Sequence, residues 1–331
     1  MSEFAQRLIK WQKQYGRHHL PWQQTRDPYC RWVAEIMLQQ TQVSTVIDYY
    51  LKFIGKFPSI STLAQASVDE VLSSWAGLGY YSRARNLHQC AKQIFEERKG
   101  SFPLTVQELI ALPGIGKSTA GAIVSACTDH PEVILDGNAK RVLCRFLKVD
   151  TDMKGAQLQR FLWKESEKLL PSMDGATYSQ AIMDLGSKIC LKQDPLCTQC
   201  PVRNICEAQL CGEVDRYFPK KSTKAKPKKS TYLLILLKGK KVFLQKRPEN
   251  GIWGGLWSLP ESNIKPDGYD EIKEIKHKFS HFEFTMYPLI QQDGPDRAED
   301  LSGKYFSREE IFSLGLPTPI KKLLLSLSQL C

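Results

Sequence analysis

The sequence predicts a multidomain protein in which an all-α domain precedes a smaller α+β domain. From about Phe4 to Leu210, apolar residues recur at helical spacing, and strand character is suggested only over 133–135. The next segment, FPKKSTKAKPKKS, carries six lysines and has the composition of a solvated linker. It is followed by TYLLILLKGKKVFLQKR, in which two β-rich apolar runs flank Gly239, as in a β-hairpin.

We place the all-α domain at 1–212, the linker at 213–229 and the α+β domain at 230–331. The boundaries follow the change in composition. The first sixteen residues predict an amphipathic helix rather than a signal peptide. A final helix is expected from Pro319.

Local signals predict three helices inside the first domain. Asp27 is the expected N-cap of a helix whose first residue is Pro28. Two further helices should flank the turn formed by residues 77–79. All three assignments rest on local sequence signals.

Composition limits the class of partner. The 331 residues carry a net charge of +11, which favours a polyanion, nucleic acid before an acidic membrane surface. Alternatively, this net charge only keeps the protein in solution and indicates no particular partner. No run of eighteen apolar residues occurs, so no membrane-spanning helix is expected. We expect a protein of a reducing compartment, the cytoplasm, associated with the nucleoid if the source is bacterial.

The stretch LPGIGKSTAGAI, residues 112–123, contains the letters GKS that end a phosphate-binding P-loop. Ala111 stands where the P-loop pattern requires its first glycine, five residues before Gly116. The preceding LTVQELIAL has helical spacing, and Pro113 ends that helix. The order helix, glycine turn, helix argues against a P-loop and indicates a different anion-binding turn.

Four of the ten cysteines are clustered with the spacing C-x6-C-x2-C-x5-C. Such spacing in a reducing compartment predicts a metal site rather than disulfides. Zinc and a [4Fe-4S] cluster are both compatible with four thiolates. The candidate ligands are Cys190, Cys197, Cys200 and Cys206.

LPGIGKSTAGAI resembles the helix-hairpin-helix of DNA repair glycosylases. In that family the glycine turn presents backbone N–H groups to a DNA phosphate. The resemblance places the hairpin at about 108–125 and implies DNA contacts at Gly114, Gly116 and Lys117. The cysteine spacing matches the iron–sulfur loop of the endonuclease III superfamily, which implies a [4Fe-4S] cluster held by the loop 190–206.

Within this superfamily the chain resembles the adenine DNA glycosylases, the MutY family, over nearly its whole length. The similar motifs are EIMLQQTQV, GLGYYSRARNL, LDGNAKRVL and FSHF. The resemblance implies a monomeric enzyme that hydrolyses the N-glycosidic bond of adenine mispaired with 8-oxoguanine or guanine in double-stranded DNA. Contacts with other repair proteins through the linker are a further expectation.

Breaking a glycosidic bond builds positive charge on the sugar, so two carboxyl groups are useful. Glu35 lies in an apolar run that should raise its pKa, although the helical pattern alone favours a solvated face. Asp136 also suits an N-cap. The resemblance implies that Glu35 protonates adenine, that ionised Asp136 stabilises the sugar cation, and that Asn138 helps to orient the site.

Ser118 separates two kinds of chemistry. Bifunctional members cut the strand through a lysine placed immediately before Thr-Ala, and here Ser118 precedes Thr119. We therefore expect base removal without efficient strand cleavage. Lys117 and Lys140 lie nearby in the sequence, and both are assigned to DNA binding. A weak strand-cleaving side activity of these lysines is left open.

Base excision requires the target base to leave the duplex. The resemblance implies that Gln40 and Tyr80 are wedge residues at the lesion, although Tyr80 alone could equally be a core residue. It also implies that Phe279, Ser280 and His281 read the opposite base.

The C-terminal domain resembles the Nudix fold. It lacks the R-E-x2-E-E sequence that would hold a divalent metal, so a binding module is expected rather than a pyrophosphatase. A non-enzymatic helix-hairpin-helix protein is a third interpretation, which the pair Glu35 and Asp136 argues against.

Overall fold

The computed structural model describes residues 1–149, 152–218, 225–292 and 303–330. The described residues form α-helices and strands with the following bounds. The helices are α1 Glu3–Tyr15, α2 Pro28–Leu38, α3 Val43–Lys56, α4 Ile60–Gln65, α5 Val68–Trp75, α6 Ser82–Arg98, α7 Val106–Ile110, α8 Lys117–Thr128, α9 Gly137–Phe146, α10 Gly155–Leu169, α11 Gly175–Lys188, α12 Glu207–Leu210, α13 Arg308–Ser313 and α14 Thr318–Ser326. The strands are β1 Lys228–Lys238, β2 Lys241–Lys246, β3 Trp257–Ser258, β4 Glu261–Ser262, β5 Asp270–Glu271, β6 Ile275–Lys278, β7 Glu283–Gln291 and β8 Gly303–Phe306.

The predicted fold class, an all-α part followed by an α+β part, is confirmed. The side chain of Asp27 accepts hydrogen bonds from the N–H groups of Tyr29 and Cys30, and Pro28 opens α2, as the sequence predicts. The helices α5 and α6 flank the expected glycine turn. The suggested strand at 133–135 is wrong, because these buried residues lead into α9 without pairing to any described strand.

By its contacts the chain divides into two compact units. The first combines Met1–Ile54 with Cys90–Ser222, and the second combines Gly55–Gln89 with Thr223–Cys331. The boundaries predicted from composition remain a sequence-based division. Strand β1 begins at Lys228, two residues before the predicted start of the second domain, and linker residues 219–224 lie outside the described ranges.

The first unit has a helical core. Helix α11 packs against α1, α8 and α9, and α2 packs against α8. The apolar face of α9 and the residue before its cap, Leu135, belong to one buried cluster with α1 and α11. Because burial of apolar surface is the main driving force for folding, this packing fixes the start of α9 relative to α8.

The second unit contains a mixed β-sheet. β1 pairs antiparallel with β2 through the predicted hairpin and parallel with β7, with Leu233 opposite Pro288. β6 pairs antiparallel with β7, so that His277 lies opposite Phe284. Between β4 and β6 the chain forms only the short strand β5 and no helix. In the described part of the chain, every helix is too short or too polar to cross a membrane.

Candidate functional site

Glu35 lies on the last turns of α2, among buried neighbours that include Ala34 and Ile36. Desolvation by this apolar environment raises the pKa of Glu35 to about 7. The positive charge of Arg31 opposes the increase, and the carboxyl group of Asp136 adds to it. A carboxylic acid with this pKa can give up a proton near neutral pH.

Asp136 caps α9. Its Oδ1 accepts a hydrogen bond of 2.7 Å from the N–H of Ala139, which satisfies one of the unpaired donors of the first helical turn. The other carboxylate oxygen does not take part in that bond. The two carboxyl groups therefore belong to different environments, Glu35 to an apolar one and Asp136 to a polar helix terminus.

Asn138 is held by an arginine rather than directed at Asp136. Its Oδ1 accepts a hydrogen bond of 2.8 Å from Nη2 of Arg141. The same guanidinium also donates to the carbonyls of Gly186 and Cys190. Arg141 is buried. Asn138 therefore connects the first turn of α9 to the start of the cysteine loop.

Ser118 has a contact that its sequence position does not reveal. Its Oγ accepts a hydrogen bond of 3.0 Å from the N–H of Leu135, the residue immediately before Asp136. Ser118 lies in the first turn of α8. The hydroxyl group therefore ties the segment that carries Asp136 to α8.

The hairpin between α7 and α8 presents an exposed glycine turn. Gly114 has φ of +79°, a conformation that glycine adopts without strain. Gly116 is the N-cap of α8 and supplies no side-chain acceptor, so the first N–H groups of the helix have no side-chain cap. Such a terminus suits an anion.

The two lysines of the site both have partners. Lys117 is the first residue of α8, and its Nζ lies 4.1 Å from the centre of the Trp163 ring. Nζ of Lys140 donates to Oε1 of Gln159 at 2.8 Å. Both ammonium groups are therefore held by neighbours on α10.

Gln40 and Tyr80 share an unusual backbone conformation. Their φ angles are +58° and +49°, in the left-handed region that is costly for residues with a bulky side chain. Both side chains are exposed, Tyr80 to 46%, whereas the adjacent Tyr81 is buried. Strain of this kind is about 1–3 kcal/mol per residue and is retained mainly at functional sites.

The turn that carries Tyr80 is held by Arg83. This buried guanidinium donates to the carbonyls of Leu78 and Gly79 and lies 5.6 Å from the centre of the Tyr80 ring. The indole Nε1 of Trp75 also donates to the Gly79 carbonyl, at 3.2 Å. The backbone immediately before Tyr80 is therefore held by side-chain hydrogen bonds, while the Tyr80 ring remains exposed.

The second unit contains a cleft of about 540 Å³, which we call the reading cleft. It brings together residues that the sequence analysis assigned to different roles. The wedge candidate Tyr80 lines it together with the recognition loop, residues 279–281. Trp253 also lines the cleft, and it was not predicted from the sequence. The volume is in the range of small-molecule sites.

The recognition loop is a tight turn between β6 and β7. The N–H of Phe279 donates to the carbonyl of Phe282 at 2.9 Å, and the two rings stack with centres 4.6 Å apart. Ser280 and His281 are exposed, and Ser280 Oγ lies 3.3 Å from Nδ1 of His281. The Phe279 ring therefore anchors a turn whose polar side chains face solvent.

The four clustered cysteines line one cavity, between α9 and the loop that follows α11. Nη1 of Arg145 donates to Sγ of Cys190 at 3.4 Å, and Sγ of Cys206 lies 3.7 Å from the Arg145 carbonyl oxygen. Across the described ranges, no group of three or more His, Cys, Asp or Glu side chains has the geometry to hold a single metal ion. The four thiols thus line a shared space.

Comparison with known proteins gives two family matches. The model of the HhH-GPD superfamily base excision DNA repair proteins matches residues 33–168, and the model of the NUDIX domain matches residues 231–326. The first match contains Glu35, Ser118 and Asp136, and the second contains the recognition loop.

The chain is also similar to individual proteins. It is 38% identical to the adenine DNA glycosylase of Buchnera aphidicola subsp. Baizongia pistaciae, over 97% of this chain and 95% of that relative. It is 31% identical to the adenine DNA glycosylase of Rattus norvegicus, over 98% of this chain and 77% of the relative. The structure of a thermostable thymine-DNA glycosylase superposes with a TM-score of 0.57 and 24% identity, covering 63% of this chain and 95% of that chain.

We predict that replacing Ser118 with alanine weakens the attachment of the Asp136 segment. The Leu135 N–H would lose its acceptor, and the expected loss in free energy of unfolding is about 1–3 kcal/mol. Chemical denaturation measures this loss, and hydrogen exchange at Leu135 should accelerate. Ser118→Thr keeps the hydroxyl and is the control. Unchanged exchange in Ser118→Ala would contradict the assignment.

We predict that Arg31→Met raises the pKa of Glu35 above its value of about 7. The change removes the positive charge that stabilises the carboxylate, one turn away on α2. A carbon-13 NMR titration of labelled glutamate measures the pKa. Arg31→Lys keeps the charge and should leave the pKa near 7. An equal pKa in Arg31→Met and the unmodified protein would show that Arg31 has no influence on Glu35.

Proposed function

This chain belongs to the adenine DNA glycosylases, within the HhH-GPD superfamily of base excision DNA repair proteins, and we propose that it removes adenine mispaired with 8-oxoguanine or guanine. The observation that carries the proposal is the pair of carboxyl groups, Glu35 with a pKa of about 7 and Asp136 at the α9 terminus. Carboxyl groups in such different environments suit an acid and an anion in one reaction.

Glu35 is the proton donor in the proposed mechanism. A neutral adenine is a better leaving group than an anionic one, so protonation of the ring lowers the barrier to cleavage. Desolvation keeps part of the Glu35 population protonated near neutral pH. The rate should decline as the pH rises through the Glu35 pKa, because the ionised carboxylate cannot donate.

Asp136 is the charge stabiliser in the proposed mechanism. Its carboxylate faces the positive charge that develops on the sugar, while its Oδ1 continues to cap α9. The cap fixes the carboxylate before the substrate arrives, so little reorganisation is needed in the transition state. The hydrogen bond between Ser118 and Leu135 supports the same segment.

We propose that strand cleavage is weak or absent. Schiff-base chemistry requires a nucleophilic amine, and a hydroxyl group at Ser118 cannot supply it. The amine of Lys117 lies over the Trp163 ring, and the amine of Lys140 donates to Gln159. Either amine would have to leave its partner before it could act as the nucleophile.

Double-stranded DNA is the proposed partner. The exposed Gly114–Gly116 turn and the uncapped start of α8 would receive a phosphate. Lys117 and Lys140 would add positive charge to that contact, and the net charge of +11 favours a polyanion. We expect the enzyme to act as a monomer. Other repair proteins could bind through the lysine-rich linker, of which residues 219–224 lie outside the described ranges.

We propose that the reading cleft accepts the base opposite the adenine. Tyr80 supplies an exposed aromatic face for stacking. Gln40, which belongs to the first unit, is proposed by itself as a wedge residue. Ser280 and His281 present a hydroxyl and an imidazole to polar base edges. The second unit would thus serve as a binding module, since its sequence lacks the acidic helix of a Nudix hydrolase.

We propose a [4Fe-4S] cluster as the cofactor. The four thiols line one cavity, as the ligands of a single cluster must, and their spacing matches the iron–sulfur loop of the endonuclease III superfamily. The cluster, when bound, would cross-link the loop through four thiolates. Arg145 would donate to the sulfur of Cys190 beside it. The residues that would hold it are Cys190, Cys197, Cys200 and Cys206.

The proposed activity is tested with duplexes that place adenine opposite 8-oxoguanine, guanine or thymine. We expect strand breaks at adenine only after alkali, fastest opposite 8-oxoguanine and negligible opposite thymine. Asp136→Asn and Glu35→Gln should each lower the single-turnover rate by at least about a hundredfold, the scale of one positioned acid or charge. Breaks without alkali, or unchanged release by Asp136→Asn, would refute the mechanism.

The cofactor is tested by metal analysis of protein purified without oxygen. We expect about four iron atoms and four acid-labile sulfides per chain, since each cluster holds that number. Cys200→Ser should lose most of the iron, whereas Cys211→Ser, at an exposed cysteine outside the cavity, should retain it. One zinc per chain and no sulfide would contradict the proposal.

A further inference from the structure

Arg85 joins α6 to a loop that follows strand β2. We call residues 248–256 the Trp253 loop. Nη1 of Arg85 donates to the carbonyl of Gly254, and Nη2 donates to the carbonyl of Glu249 at 2.8 Å. The two carbonyls lie near opposite ends of the loop, so one guanidinium holds both. Arg85 and the loop belong to the same compact unit.

The Trp253 loop is tightly closed. The N–H of Gly255 donates to the Pro248 carbonyl at 3.2 Å, and the N–H of Leu256 donates to the Trp253 carbonyl at 3.1 Å. A Cβ atom at Gly254 would lie 2.0 Å from the carbonyl oxygen of Glu249. The loop therefore has little freedom to move without breaking its own hydrogen bonds and those to Arg85.

Trp253 connects this loop to the recognition loop. Its side chain is buried, and its ring centre lies 5.3 Å from that of Phe279 and 5.6 Å from that of His277. Phe279 is the anchor of the turn that exposes Ser280 and His281. A displacement of Trp253 would therefore be transmitted to both polar side chains.

Arg85 also lies close to the wedge residue in sequence. It follows Tyr80 by five residues, at the start of α6, and both residues line the reading cleft together with the recognition loop. The positions of the Tyr80 ring and of the Trp253 loop are thus set by one short segment. That segment is itself held by the buried Arg83.

We propose that Arg85 is a positioning residue for recognition of the opposite base. Its two hydrogen bonds fix the Trp253 loop, the loop fixes Phe279, and Phe279 fixes Ser280 and His281 relative to Tyr80. Arg85 acts through the backbone of the loop and needs no contact with DNA to do so. This inference rests on the proposed function, and it identifies a residue that sets selectivity for 8-oxoguanine rather than the rate of bond cleavage.

The test compares Arg85→Met with the unmodified enzyme. We expect the ratio of kcat/KM for adenine opposite 8-oxoguanine to that opposite guanine to fall about tenfold or more, because two charge-assisted hydrogen bonds are lost. The maximal single-turnover rate on the guanine duplex should stay within about threefold, because a loss in recognition appears mainly in KM. Arg85→Lys should recover only part of the ratio, since an ammonium group lacks the planar fork.

Arg98→Met is the matched control. Arg98 lies on the same helix, and its guanidinium pairs on the surface with Glu108, at 2.8 Å. Its substitution should leave the ratio unchanged. Hydrogen exchange gives a local measurement: Arg85→Met should accelerate exchange over 249–256 and 279–284 and leave 33–37 unchanged.

The outcomes separate this inference from the proposed function. If the unmodified enzyme shows no preference for 8-oxoguanine, the proposed substrate is wrong, and the exchange data alone decide whether Arg85 holds the loop. If the preference exists and Arg85→Met retains it, the inference is overturned. Equal losses on both duplexes would also overturn it, because they indicate a general structural role.

Discussion

The helical unit depends on the hydrogen bonds that two buried arginines of α9 donate to the last turn of α11 and to the chain that follows it. Arg141 donates to the carbonyls of Gly186 and Cys190, and Arg145, only 1% exposed, donates to the carbonyl of Leu191 at 2.6 Å. A buried cation is costly unless such partners surround it. The segment that begins at Asp136 and continues through α9 therefore carries the proposed charge-stabilising carboxylate and the support of the cysteine loop.

The two carboxyl groups show how environment divides roles between similar side chains. Glu35 is surrounded by apolar neighbours, which disfavour its charged form. Asp136 lies at the N-terminus of α9, where the helix dipole stabilises negative charge. Arg31 moderates the first effect without forming an ion pair within 4 Å among the described contacts. The different environments of the two carboxyl groups thus follow from their positions, Glu35 on α2, which packs against α8, and Asp136 at the start of α9.

The sequence predicted what depends on local pattern. Helix periodicity, the Asp27 cap and the hairpin at Gly239 all follow from signals within a few residues. The hydrogen bond between Ser118 and Leu135, seventeen residues apart, could not be predicted, because no signal in either segment indicates a contact with the other. The same holds for Arg85 and Glu249, which are 164 residues apart.

A sequence pattern does not determine the role of a residue type that has two common roles. Glu35 on a helical face reads as solvated, and only the resemblance reversed that interpretation, whereas the packing of α2 supplies the physical reason. For Arg31 a signal existed, since residues four apart on a helix are neighbours. For Trp253 no local signal indicated its place beside the recognition loop, because its aromatic neighbours His277 and Phe279 are more than twenty residues further along the chain.

The left-handed backbone at Gln40 and Tyr80 has a consequence for how this protein can be improved as a reagent. Replacing either residue with glycine would relieve strain, so a laboratory selection for heat resistance alone would favour those changes. The side chains lost would be the two that we propose as wedges at the lesion. Selection for thermostability therefore needs a simultaneous screen for glycosylase activity, because selection for stability alone would not retain these side chains.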